Sequence, residues 1–407
     1  MHTPADTSAA KAPAFPQPRT CPYEPPPGYD ELRGAGPLTK VRLFDGREVW
    51  FVTGYTEARE LLTDARLSAD RTRPDYPVLA PRFAAAVARK LPLIAMDPPV
   101  HDVHRRLLNP DFSLKRSRTW RADVQRIVDE CLDRMEAKGP PADLVPDLAV
   151  SVPSRVIALL LGVPDEDVPS FQDASRRLMQ ATEAESSQAA GAELTRYLDQ
   201  LATAMRESGD GPGLMGRLAT HEVAEGTLSH EELVQIALVL LVAGHETTAS
   251  VISLGTVLLL EHPEQLARMR SDLDAVPAAV EELLRMLQVT DLAGARVAAE
   301  DIDIAGYTIR AGDGVLFSGT LANRDTRVHE EPDTFDVGRS GRSHLAFGYG
   351  IHQCIGQNLA RLELDVVFST LWRRLPGLRL ALPVSELALR GTGTGTVQGV
   401  NSLPVTW

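Results

Sequence analysis

The stretch from Leu233 to Leu260 is the longest apolar tract in the chain, and it limits what can be built around it. It opens at Ser229-His230-Glu231-Glu232. This is the form of a capping box, a serine at the N-cap and a glutamate three residues on that reaches back to it. A helix from 229 to 260 is about 48 Å long at ~1.5 Å per residue, enough to cross a whole domain. A membrane span needs about 20 apolar residues with no charge at their centre. Here Gly244-His245-Glu246-Thr247-Thr248 interrupts the middle. The tract therefore reads as a helix through a protein core. Its central polar groups are costly there unless they are partnered. Two uses are open for Glu246 and Thr247: a helix kink with threonine hydroxyls bonded to the previous turn, or proton delivery to a ligand beside Ala243 and Gly244.

A second segment, Phe347-Gly348-Tyr349-Gly350-Ile351-His352-Gln353-Cys354-Ile355-Gly356, is a glycine-punctuated loop that runs into a helical pattern, Gln357 to Leu371. The glycines permit positive φ and close backbone approach to a flat object. A cysteine at a helix entry lies near the positive end of the helix dipole, where N–H groups favour a thiolate. Cys354 is either one more small buried hydrophobe or an axial ligand for haem iron.

Other segments carry weaker signals. β-rich runs flank Asp45-Gly46-Arg47 and predict a hairpin, and a short helix follows over 56–63. A further short helix is expected near 82–90. Asp97 can cap a helix whose first turn holds Pro98 and Pro99. His101 and Arg105 then share one face, which is either solvated or holds an anionic group. His104 and Arg106 read as surface residues. Glu183 to Gly191 reads as a mobile connection between helices. Glu282 and Arg285 stand at i, i+3 and can pair.

The chain has 407 residues, 43% hydrophobic and 24% charged, as in a soluble globular protein. A net charge of −13 argues against a general nucleic-acid binder. Three cysteines, Cys21, Cys131 and Cys354, do not make a disulfide framework and fit a reducing cytoplasm. Residues 1–30 lack the apolar run of a signal peptide. They suggest a loose surface arm, 1–25, ahead of one domain, 26–407.

Residues 347–356 match Phe-Gly-x-Gly-x-His-x-Cys-x-Gly in full and resemble the haem-binding loop of the cytochrome P-450 family, the haem-thiolate monooxygenases. Further segments follow the family order: Asp97-Pro98-Pro99-x-His101-x-x-x-Arg105, Ala243-Gly244-x-Glu246-Thr247-Thr248, Glu282-x-x-Arg285, and Arg296. The resemblance covers roughly 20–407. It is greatest to the soluble actinomycete branch, which shares the ending seen here from Gln398 to Trp407. It implies a mainly α fold with small β-sheets and a haem b (iron protoporphyrin IX) between the long helix and the cysteine loop.

The resemblance also assigns residues. Cys354 is the iron ligand, shielded by Phe347. Gly348, Ala243 and Gly244 border the macrocycle. His101, Arg105, Arg296 and His352 neutralise its propionates. Thr247 and Glu246 handle protons. Glu282, Arg285 and Arg339 form a buried ion network. Leu292, Ala293, Val242 and Val397 line the substrate pocket. The implied reaction is hydroxylation or epoxidation of a lipophilic macrolide, other polyketide or terpenoid, with O2 and electrons. The implied donor is a ferredoxin with its NAD(P)H-dependent reductase, serving a monomer, while Arg106, Lys115, Arg116 and Arg118 form either a basic docking face for it or an ordinary solvated surface.

Two alternatives stay open. A peroxygenase would use hydrogen peroxide, but its family members carry Arg-Pro where Glu246-Thr247 stands. A non-catalytic haem protein would not need the acid–alcohol pair.

Overall fold

In the computed structural model, which describes residues 12–81, 91–180, 184–339, 341–390 and 397–407, the runs around Asp45-Gly46 pair as a hairpin. Strand β1 (Leu38–Arg42) is antiparallel to β2 (Glu48–Val52), with Val41 opposite Val49. Both valines are buried, and they fix the register, because a slip of one residue would turn them to solvent. Strands β3 (Leu67–Ser68), β4 (Leu292–Ala298) and β5 (Gly314–Ser318) complete the sheet in the order β1-β2-β5-β4-β3. β2 and β5 run parallel and the other pairs antiparallel. Central β5 is buried along its whole length. The β4–β5 register shifts between Leu292 and Gly294, just ahead of Arg296.

The rest is mainly helix. α1 (Tyr55–Leu62) is capped from outside, Tyr55 N donating to Asp325 Oδ2 at 2.9 Å. Then come α2 (Val100–Phe112), α3 (Arg121–Lys138), α4 (Ser151–Leu161), α5 (Val168–Gln180) and α6 (Ala184–Ser208). The apolar tract is α7, His230–Glu261, 32 residues long. Both halves of its capping box form: Glu232 N donates to Ser229 Oγ at 3.1 Å, and Ser229 N to Glu232 Oε2 at 2.9 Å. Length and hydropathy alone would let α7 cross a membrane. Instead α4, α6 and two later helices, α8 (Val276–Leu287) and α9 (Gln357–Arg374), surround it, and a helix apolar all round is one enclosed by protein. Two of its interior hydroxyls are satisfied within the helix, Ser253 by Ala249 O and Thr256 by Ile252 O.

Several expectations change. The described part of the N-terminal arm is packed: Phe15 is buried against Phe51, ring centroids 4.9 Å apart, and its N–H donates to Arg42 O at 2.9 Å. One aromatic side chain is enough to dock this segment on the sheet. Asp97 does not cap α2. Its carboxylate accepts from Ser68 Oγ and from Ala69 N, so it pins β3 to the α2 approach, and the two prolines precede the first turn. The connection expected from Glu183 is helical from Ala184 onward, where alanine-rich sequence favours helix. The helix expected near 82–90 lies outside the described residues.

Candidate active site

Cys354 sits between a single 3-10 turn, Gly350–His352, and the start of α9. The loop folds back on itself, with Cys354 N donating to Phe347 O at 2.8 Å. Gly350 makes this path possible. Its φ is 73°, and a Cβ there would lie 2.5 Å from the Leu62 carbonyl oxygen at the end of α1. A Cβ on Gly348 would lie 3.2 Å from Ala293 O of β4. Arg59 of α1 holds the loop from the other side, its guanidinium 4.3 Å from the Tyr349 ring centroid.

Cys354 is accessible, yet burial is the largest influence on its thiol and pushes the pKa up. The two observations agree if the sulfur borders an enclosed space. N–H groups of Gly356 and Gln357 and the cations Arg105 and Arg361 pull the other way. A metal cation at the sulfur adds to their side and leaves a thiolate.

Basic side chains from three segments converge beside this loop. The His101 ring of α2 stands 4.3 Å from the His352 ring. Burial, then Arg296 and His101, push His352 down to about 3. Burial also lowers His101, against the opposing pull of Asp102. Both rings are therefore neutral near pH 7, and the charge rests on the arginines. Arg105 Nη1 donates to Gln353 O at 2.9 Å, and buried Arg296 donates to Ala295 O at 2.8 Å. Among the described residues, neither arginine has a carboxylate within ion-pair distance. Asp97 acts on Arg296 only from further off, because its carboxylate is taken by Ser68 and Ala69. Enclosed guanidinium groups without anions are costly. The set fits a ligand that carries carboxylates, as haem does.

The middle of α7 opens on one side. Val242 and Ala243 are exposed, whereas Leu240, Leu241, His245 and Thr248 are buried. Glu246 and Thr247 are half-buried. Thr247 Oγ1 donates to Ala243 O at 2.7 Å, the bond to the previous turn that its sequence allowed. Gly244 faces Ile157 Cδ1 of α4, where a Cβ would make an ordinary van der Waals contact at 3.5 Å. His245 is pushed down to about 4 by burial and stays neutral beside the Val150 backbone. His104, expected at the surface, is buried with Nε2 3.5 Å from Glu232, so it joins α2 to the α7 cap. Arg106 is exposed.

The expected ion network is present and enclosed. Arg285 donates to both Glu282 oxygens at 2.7 and 2.8 Å, and Arg339 Nε to Glu282 Oε1 at 3.2 Å. A second network beside it escaped the sequence reading. Arg361 donates to Glu281 at 2.6 and 3.0 Å, and His344 Nε2 is 2.9 Å from the same carboxylate. The Arg361 guanidinium lies 4.5 Å from the Phe347 ring centroid, so Glu281 ties α8 to the cysteine loop. The available signal was two adjacent acids, Glu281-Glu282, in a mostly apolar helix with one arginine, Arg285. Asn323 links the two networks: Leu345 N donates to its Oδ1 at 2.6 Å, and its Nδ2 donates to Arg285 O at 3.2 Å.

The four pocket candidates divide. Val242 opens on the α7 side, and Ala293 lies beside Gly348. Leu292 packs instead with the Phe15–Phe51 cluster, and Val397 with the main core. The register shift in β4 separates Leu292 from Ala293. An open groove of about 540 Å³ adjoins the basic cluster, lined by His101, Asp102, Arg105, Arg106, Asn109, Pro110 and Ile351.

Residues 196–376 match the family model described as Cytochrome P450. The chain is 53% identical to cytochrome P450 105A3 of Streptomyces carbophilus, covering 98% of this chain and 97% of that protein. It is 52% identical to the vitamin D3 dihydroxylase of Streptomyces griseolus, covering 97% of each. The crystal structure of the mycinamicin VIII C21 methyl hydroxylase MycCI from Micromonospora griseorubida, bound to mycinamicin VIII, superposes with a TM-score of 0.89 at 38% identity, covering 97% of this chain and 100% of that one. With near-complete coverage at such identity, a mainly α fold and a cysteine loop set beside a long helix, the chain belongs to the cytochrome P450 family and is a haem-iron monooxygenase.

Proposed function

We propose that Cys354 holds the iron of a haem b and that the enzyme hydroxylates a lipophilic secondary metabolite, such as a macrolide, another polyketide or a terpenoid. One observation carries the reading. An accessible cysteine hemmed in by protein lies beside two enclosed guanidinium groups that, among the described residues, lack carboxylate partners. A soft thiolate suits iron, and cations suit the carboxylates of the same ligand. The substrate class is supported by the apolar residues at the opening, Val242, Ala243 and Ala293. It is also supported by a relative named for vitamin D3 and a neighbour bound to mycinamicin VIII.

When bound, the haem activates O2 and delivers one oxygen atom to the substrate. The chain's own residues prepare that chemistry. Arg361 stands over the Phe347 ring, which in this reading shields the sulfur. Gly356 and Gln357 N–H groups point at the sulfur and lower its electron donation. His101, Arg105, Arg296 and His352 orient the propionates. Thr247 commits its hydroxyl proton to Ala243 O and keeps its lone pairs as acceptors. Glu246 supplies the protons, and Thr247 hands them on once its hydroxyl turns from Ala243 O.

The electron donor in this reading is a ferredoxin with its NAD(P)H-dependent reductase, serving a monomer in the cytoplasm. Exposed Arg106, Lys115, Arg116 and Arg118, the first of them at the rim of the groove, support an acidic partner.

The absorbance of the dithionite-reduced protein with carbon monoxide tests the ligand. A red-shifted, thiolate-type Soret band is expected, and a histidine-type band would overturn the Cys354 assignment.

A further inference from the structure

One cation reaches the centre of α7 from the C-terminal part of the chain. Arg390 ends strand β6 (Leu389–Arg390), which pairs antiparallel with β7 (Gly399–Val400). Its Nη2 donates to Ser250 Oγ at 3.0 Å. Its Nε stands 3.5 Å from Glu246 Oε1 and makes no hydrogen bond. Glu246 and Ser250 are four residues apart, so one guanidinium spans one turn of the helix face. Gly399 makes the room. A Cβ there would lie 2.7 Å from Arg390 Nη2 and 3.0 Å from Ser250 Oγ.

The arrangement is asymmetric. The side chains of Arg390 and Glu246 are only 19% and 21% exposed, so solvent screens the pair weakly. Yet the short bond goes to serine, and the carboxylate is held by charge alone. The cation is anchored and the acid can turn. We propose that Arg390 is a positioning residue that, fixed by Ser250, holds Glu246 turned toward β6 until it takes up a proton for Thr247. This rests on the reading of Glu246 as the proton carrier.

The surroundings agree. Burial raises the proton affinity of Glu246, and Arg390 opposes it. Among the described residues Arg390 is the charged group acting on Glu246. The neighbouring titratable group on α7, His245, is buried and neutral.

Infrared difference spectroscopy on the full-length, haem-loaded enzyme with isotope-labelled glutamate reads the Glu246 carboxyl band, assigned by its loss in Glu246→Gln. In Arg390→Leu the pH at which this band titrates rises by about one unit or more. Arg390→Lys restores most of the original titration. Product formed per NAD(P)H consumed falls in Arg390→Leu and recovers in Arg390→Lys. An unmoved titration in Arg390→Leu that keeps its thiolate-type spectrum overturns the proposal. Should Arg390→Leu fail to fold, Gly399→Ala displaces the guanidinium without removing it and is judged the same way. A titration that moves while Glu246→Gln couples as well as the parent overturns the proton-carrier reading and the functional half of the proposal with it.

Discussion

His101 and His352 stand with ring centroids 4.3 Å apart, one on α2 and the other two residues before Cys354. The contact fastens a helix to the cysteine loop at the point where Arg105 and Arg296 bring their charges. Because burial keeps both rings neutral, removing one arginine removes about half the positive charge available to a ligand. Arg296→Leu deletes charge-assisted bonds worth about 1.5–3 kcal/mol. Haem transfer to excess apomyoglobin then speeds up roughly ten- to hundred-fold. An unchanged transfer rate would remove Arg296 from the site.

Cys354→Ser replaces a soft ligand with a hard, poorly ionised one. The reduced carbon monoxide complex loses its thiolate-type Soret band, and substrate-dependent NAD(P)H consumption stops. Retention of the same band would mean that another group holds the iron.

Thr247→Ala removes the hydroxyl and leaves Ala243 O without its 2.7 Å donor. Reducing equivalents then go to hydrogen peroxide and product falls, while Thr247→Ser retains most of the coupling. Peroxide and product are counted against NAD(P)H consumed. Equal coupling in Thr247→Ala would take the residue out of the proton path.

Much of this site was legible because its chemistry depends on residue type at fixed spacing. The capping box of α7 and the i, i+3 pair Glu282–Arg285 both act within a few residues of themselves. What was missed depends on distant partners. His104 looks like a surface residue until α7 places Glu232 beside it. Asp97 reads as a cap until β3 offers Ser68 and Ala69. Leu292 and Ala293 read alike until a register shift in β4 divides them. Arg390 and Glu246 are brought together only by the tertiary fold.

The Arg285 guanidinium is enclosed and fully engaged, by Glu282, Asn323 O and Pro332 O. Glu282→Gln leaves that cation and the neighbouring Arg339 without their shared anion. Breaking a buried pair from one side costs about 3–5 kcal/mol. The urea midpoint falls accordingly, with an unchanged slope. A midpoint within error of the parent would show that the network contributes no net stability.

Glu281 makes the acid response predictable in sign. Burial alone would raise its carboxyl, but hydrogen bonds from His344 and Arg361 outweigh burial and hold it at about 2, against an ordinary value of 4.5. A carboxyl depressed by folding contributes stability that is fully present above its unfolded value and is lost as pH falls through its folded value. The window is therefore from about 4.5 down to about 2. The side chain is only 9% exposed, so little of the effect is screened, and it is worth roughly 3 kcal/mol at neutral pH. Urea midpoints of the parent and of Glu281→Gln should differ most above pH ~5 and converge as the pH drops toward ~2. Parallel curves across that range would mean that Glu281 titrates normally in the folded protein. Because Arg361 bridges Glu281 and the Phe347 ring, the Soret band of the variant also shifts at neutral pH, where global unfolding plays no part.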